Sequence, residues 1–167
     1  MKYWDSSAVV PLLTTEPTSA ALCHLAEGDG AMLVWWGTRI ECVSALARSA
    51  RENRLSAINF SEARQRLAVL TANWNEIQPN GDVRASAERM VTVHSLRAAD
   101  AIQLAGAIAA CHGATAGLPF VSLDTRLREA ADREGFTVLP ENAARATAVR
   151  ERPPRRKQST RMRQLGA

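Results

Sequence analysis

Short apolar runs, each closed by a turn residue and followed by a helical pattern, constrain this chain more than any other feature. The clearest is 31–36, Ala-Met-Leu-Val-Trp-Trp, set between Gly30 and Gly37. A run that short and apolar on both sides reads as a strand buried on both faces, as in a parallel sheet. Similar runs at 2–5, 76–78, 120–123 and 136–139 read as the other strands. Between them, helical spacing covers 7–13, 18–26, 38–52, 61–74, 82–94, 98–111 and 125–134. Thr18 is the expected N-cap of the second helix, with Gly28 just past its end, Thr38 opens the third and Ser61 the fourth. Strands alternating with helices predict an α/β fold around a parallel sheet. Ligands of such sheets bind outside the carboxyl ends of the strands, where the strand order reverses.

Four acids stand out, and three of them fall at or shortly after the end of a predicted strand. Asp5 closes the first strand, Glu41 lies in the first turn of the helix after the second, and Asp124 follows the run 120–123. Asp100 interrupts 98–111, a helix that otherwise holds one amide, Gln103, and no other charge. At about 100° per residue Asp100 projects near Leu104, Ala107 and Cys111, away from any polar face, where a carboxylate is costly unless it is paired or binds a metal. Carboxylates gathered in one cleft repel each other unless a cation lies between them, and Mg²⁺ takes oxygen ligands of this kind.

Each acid also has a plainer reading. Thr38-Arg39-Ile40-Glu41 matches a capping box. Asp124 suits the N-cap of the helix 125–134, and Asp5 suits a turn with Ser6 and Ser7. Asp100 has Arg97 three residues before it as a salt-bridge partner, and a helix N-terminus favours its charge.

Other residues carry less. Cys23, Cys42 and Cys111 are widely spaced, odd in number and without metal spacing, so they read as small buried apolar residues in a reducing, cytoplasmic setting. His24, His94 and His112 read as helix-surface or helix-end residues, and Trp35 and Trp36 as strand and core residues. No signal peptide is evident, and no apolar stretch reaches the roughly 18–20 residues of a membrane span.

The net charge of +4 is unevenly placed. From Arg150 onward seven bases face one acid, which leaves residues 1–149 at −2. Residues 143–167 read as a basic, disordered tail, either a solvated terminus or a binder of RNA phosphate, behind a domain at 1–142.

With these residues in view, 1–142 resembles the PIN-domain family, specifically VapC-type ribonuclease toxins of toxin–antitoxin systems. Tyr3-Trp4-Asp5-Ser6-Ser7-Ala8-Val9-Val10 is similar to the family's opening strand. Thr38-Arg39-Ile40-Glu41 carries the second acid. The segment 96–105, Leu-Arg-Ala-Ala-Asp-Ala-Ile-Gln-Leu-Ala, is the most specific match, and 120–131 is similar to the last acidic motif. The long basic tail departs from the family pattern. The resemblance implies a three-layer α/β/α PIN-like fold and an endoribonuclease. Asp5, Glu41, Asp100 and Asp124 would be its catalytic and metal-binding acids, with Asp5 and Asp100 as direct ligands of Mg²⁺ or Mn²⁺. It further implies metal-activated water cutting tRNA, rRNA or mRNA to leave 5′-phosphate and 3′-hydroxyl ends, a homodimer, and a cognate antitoxin that covers the site.

Two other functions stay open from the residues. A phosphatase-like phosphoryl hydrolase also places Asp after its first strand, but wants a second Asp two positions on, where Ser7 stands. A non-catalytic nucleic-acid or protein-binding module could keep an acidic site. No P-loop or Gly-x-Gly-x-x-Gly motif is present.

Overall fold

A computed structural model describes residues 1–141, so the expected tail at 143–167 lies outside the described residues. Five parallel strands run β1 (Lys2–Trp4), β2 (Met32–Trp35), β3 (Asn75–Ile77), β4 (Phe120–Val121) and β5 (Val138–Leu139), in the order β3-β2-β1-β4-β5. The register sets Tyr3 beside both Leu33 and Phe120, so β1 is the central strand. The helices are α1 (Ser6–Leu13), α2 (Ser19–Glu27), α3 (Thr38–Arg51), α4 (Ala57–Thr71), α5 (Gly81–His94), α6 (Ala98–Ala110) and α7 (Thr125–Arg133). From β1 the chain steps outward through β2 to β3, then crosses back to β4 and β5. The strand order therefore reverses beside the end of β1.

Alternation along the strands sorts the core into two halves. Tyr3, Leu33, Trp35 and Phe120 face one side and pack with Val83, Met90, Leu104 and Leu127 of α5, α6 and α7. Trp4, Met32, Val34 and Val121 face the other side and pack with Val9, Leu22, Leu46 and Leu67 of α1 to α4. A period of two on strands buried on both faces leaves neither side for solvent, which is the α/β/α layering expected from the sequence. Tyr3 stacks on Phe120 with ring centroids 5.4 Å apart, joining β1 to β4 on the α5–α7 side.

Local chemistry sets most boundaries. Asn80 caps α5 by accepting from the Val83 N–H at 2.9 Å, and Ser56 caps α4 by accepting from the Asn59 N–H at 3.1 Å. Four expectations are corrected here. α4 starts after Ser56 rather than at Ser61, because Ser56 holds the extended backbone of a cap and Ser61 is mid-helix. Thr18 stands at the N-cap of α2, but its hydroxyl makes no cap bond. Trp36 is 46% exposed, since the strand ends at Trp35 and the next side chain turns outward. Of the three cysteines only Cys42 is fully buried, and Cys23 lies on the exposed side of α2.

Candidate active site

Asp5, Thr38, Gln103 and Ser122 are the polar residues buried in backbone and side chain together among the described residues. All four lie at the carboxyl edge of the sheet around the end of β1. Buried polar groups are costly unless bonded, so their concentration at one place marks where this fold gives up apolar packing.

Asp5 follows the last residue of β1 and is the N-cap of α1. Its Oδ2 accepts from the Ser7 N–H at 3.1 Å, from the Ser122 hydroxyl at 3.1 Å, and from the Ser7 hydroxyl. Oδ1 takes no hydrogen bond among the described residues. Burial raises the Asp5 carboxyl to about 6, because desolvation outweighs those three bonds and the Glu41 charge adds to it. Ser7 also ties β1 to the loop after β4, since its hydroxyl accepts from the N–H groups of Leu123 at 2.9 Å and Asp124 at 3.2 Å.

Glu41 lies one turn into α3. The capping-box expectation is corrected: Gly37 is the N-cap, Thr38 is buried inside the helix, and neither makes a side-chain cap bond. Instead Gln103 Nε2 donates to Glu41 Oε2 at 2.9 Å and to Thr38 Oγ1 at 3.1 Å. The Tyr3 hydroxyl donates to Gln103 Oε1 at 3.3 Å. An ionised carboxylate only accepts, so the amide must turn its nitrogen toward Glu41. Gly106, one turn after Gln103, gives the Tyr3 hydroxyl its room, because a Cβ there would come within 2.6 Å of that oxygen. Gln103 is the residue of this buried network that sequence reasoning missed. Its signal was present, as the single amide in an otherwise apolar helix.

Asp100 sits in the first turn of α6 and is partly exposed there, not enclosed with Leu104 and Ala107 as its helical position suggested. Its carboxyl is raised by burial and by the Asp124 charge, against the opposing pull of Arg97 and Arg126. The expected salt bridge with Arg97 is not formed within 4.0 Å, although Arg97 is near enough to act on the carboxyl. Asp124 is exposed and caps α7, its Oδ1 accepting from the Leu127 N–H at 2.8 Å.

The four acids thus share one edge of the sheet as two electrostatic pairs, Asp5 with Glu41 and Asp100 with Asp124. Among the described residues no three acidic, histidine or cysteine side chains close into a group able to hold a metal ion as they stand. By donor chemistry the set is all oxygen, which suits a hard divalent cation, and Asp5 Oδ1 is uncommitted.

His94 is a helix-end residue, as expected, but not a surface one. It ends α5, but its side chain is 5% exposed and Nε2 lies 2.7 Å from Glu134 Oε1. Burial works against the Glu134 charge, yet the bonds from Arg89 and His94 bring its carboxyl below the usual value.

A parallel sheet in this order, layered by helices on both faces and carrying acids along its carboxyl edge, places the chain in the PIN-like class of α/β/α domains. No family model matches the chain. Two curated proteins of Mycobacterium tuberculosis do, ribonuclease VapC45 and ribonuclease VapC49, from two different strains. Each is 33% identical over 138 residues, covering 83% of this chain and 94% of the relative. The chain belongs to the VapC ribonuclease family.

Proposed function

We propose that this protein is a Mg²⁺- or Mn²⁺-dependent endoribonuclease and the toxin of a type II toxin–antitoxin pair. The observation that carries the reading is Asp5: a carboxylate 4% exposed, held by three bonds on one oxygen where the strand order reverses, beside a second carboxylate. A fold that stabilises such a group without an opposing base has reserved a place for a cation. The two relatives named as ribonucleases support RNA as the substrate.

Asp5 and Asp100 would hold the cation directly, with Glu41 and Asp124 completing the set. When bound, the ion neutralises phosphate charge and lowers the pKa of a coordinated water. The protein's own part is orientation. Gln103 fixes Glu41 through Oε2 and leaves Oε1 free of that bond. Asp124 spends Oδ1 on α7 and keeps Oδ2 for the site. Ser7 and Ser122 hold Asp5 in one rotamer. The reading extends to a cytoplasmic homodimer whose cognate antitoxin covers this edge. No helix of the described residues is long and apolar enough to cross a membrane.

The test is cleavage of total RNA with Mg²⁺ and with EDTA, mapping the cut ends, for the wild type and for Asp100→Asn. Metal-dependent cuts with 5′-phosphate ends, lost in a folded Asp100→Asn protein, are expected. A folded Asp100→Asn protein that cuts at the wild-type rate refutes the site.

A further inference from the structure

Beside the open half of the acidic edge lies a cavity of about 310 Å³, lined by His94, Ser95, Arg126, Glu129, Ala130 and Arg133. Four of these are at positions 126, 129, 130 and 133 of α7, a spacing that puts them on one helix face. The opposite wall is the end of α5, where Ser95 takes a left-handed backbone with φ 53° and ends the helix. Arg126 and Arg133 form no ion pair within 4.0 Å among the described residues. His94 Nδ1 is the one buried side-chain polar atom without a partner among them. Its ring is clamped through Nε2 by Glu134, which Arg89 also holds.

Two guanidinium groups without an ion pair along one cavity are poor design for stability, since each repels the other, and the Asp100 carboxylate that acts on Arg126 is not in salt-bridge contact with it. They suit a ligand that brings its own negative charge, and guanidinium is the group best matched to phosphate oxygens. The Glu129 carboxylate in the same wall opposes such a ligand, but two bases outweigh one acid. The cavity also adjoins the reaction centre. Arg126 is two residues from Asp124, and it offsets part of the rise that burial imposes on Asp100.

We propose that this cavity is a phosphate subsite for the RNA strand, with Arg126 and Arg133 as its donors. It holds a phosphate that flanks the scissile one, so the strand enters the acidic edge along α7. This rests on the ribonuclease reading. It also places an RNA contact within the folded domain, apart from the basic residues after Arg150.

The experiment uses the full chain and a labelled single-stranded RNA in EDTA, so that binding is read without cleavage. Affinity is measured against salt concentration. For Arg126→Gln/Arg133→Gln, affinity at low salt falls roughly tenfold or more, as for loss of a charged hydrogen bond. The salt slope becomes shallower by about 0.7 for the one phosphate released. Arg126→Lys/Arg133→Lys restores the slope, which a merely structural role would not require. Arg51→Gln, at the far end of α3, leaves the slope at the wild-type value. A slope unchanged in the double glutamine variant, or one moved equally by Arg51→Gln, overturns the subsite. Cleavage of the same RNA with Mg²⁺ is scored separately. Wild-type protein that cuts no RNA refutes the nuclease, whereas cutting with an unaltered slope refutes the subsite alone.

Discussion

The two pairs of acids are built differently. Asp5 and Glu41 are locked: every donor around them is a side chain or N–H of the core, supplied by Ser7, Ser122 and Gln103. Asp100 and Asp124 sit on the rim, at helix N-termini, with solvent on one side and Arg97 and Arg126 as the cations that act on Asp100. The difference teaches how a small domain prepares for a charged ligand. The locked pair supplies geometry at a cost in stability, and the rim pair supplies charge at little cost because water and helix dipoles carry it. Substitutions in the two halves should therefore fail in different ways.

The sharpest break is Asp5→Asn. If Asp5 is the direct ligand proposed above, its loss should remove several kcal/mol of transition-state stabilisation, on the order of a thousandfold or more in cleavage rate. Asn can still accept the Ser7 N–H bond, so α1 should stay capped. A rate within tenfold of wild type would move the centre of the site to the rim.

The same substitution should make the protein more stable. The folded Asp5 carboxyl titrates near 6, above its ordinary 3.8. Between those values the folded state binds more protons than the unfolded one, so stability falls as pH rises from about 4 to about 6 and then levels. At 1.36 kcal/mol per unit the full cost is about 3 kcal/mol above pH 7. In urea melts with EDTA at pH 7.5, Asp5→Asn should gain up to about 3 kcal/mol and lose most of the fall between pH 4 and 6. Adding Mn²⁺ should recover stability in the wild type and not in the variant. A wild-type melt flat across that range would mean that Asp5 is better solvated than its burial implies.

Next in size is Gln103→Leu, which keeps volume but releases Glu41 and orphans the Tyr3 and Thr38 hydroxyls. Loss of a residue that orients a ligand costs about 10- to 100-fold in metal affinity or activity. Mn²⁺ titration separates this from a packing defect: a destabilised protein with wild-type metal affinity would make Gln103 structural only.

Sequence alone exposed much of this and hid the rest for physical reasons. Strands were legible because Gly30, Gly37 and the fully apolar run between them admit few alternatives. The start of α4 was not, because its apolar pattern is weak: Ala63 and Leu67 are buried while Ile58 and Val69 are exposed. Local grammar assigned Glu41 to a capping box. The partner that wins is 62 residues away in α6, and no short-range pattern encodes it. His94 was hidden in the same way, since its clamp by Glu134 spans 40 residues. At Asp124 the plain and functional readings are compatible, because the α7 cap uses only one of its two oxygens.

That division of labour gives the smallest effect and the finest cut. Asp124→Asn keeps a cap acceptor and removes the charge, whereas Asp124→Ala removes both. Loss of the cap costs about 1 kcal/mol, so Asp124→Ala should melt below Asp124→Asn by about that much while both lose cleavage to a similar degree. The rim charge also raises Asp100, so either variant should bring the Asp100 carboxyl down, read by NMR titration. If Asp124→Asn cleaved like wild type while Asp124→Ala failed, Asp124 would be a helix cap alone, and the rim of the site would reduce to Asp100.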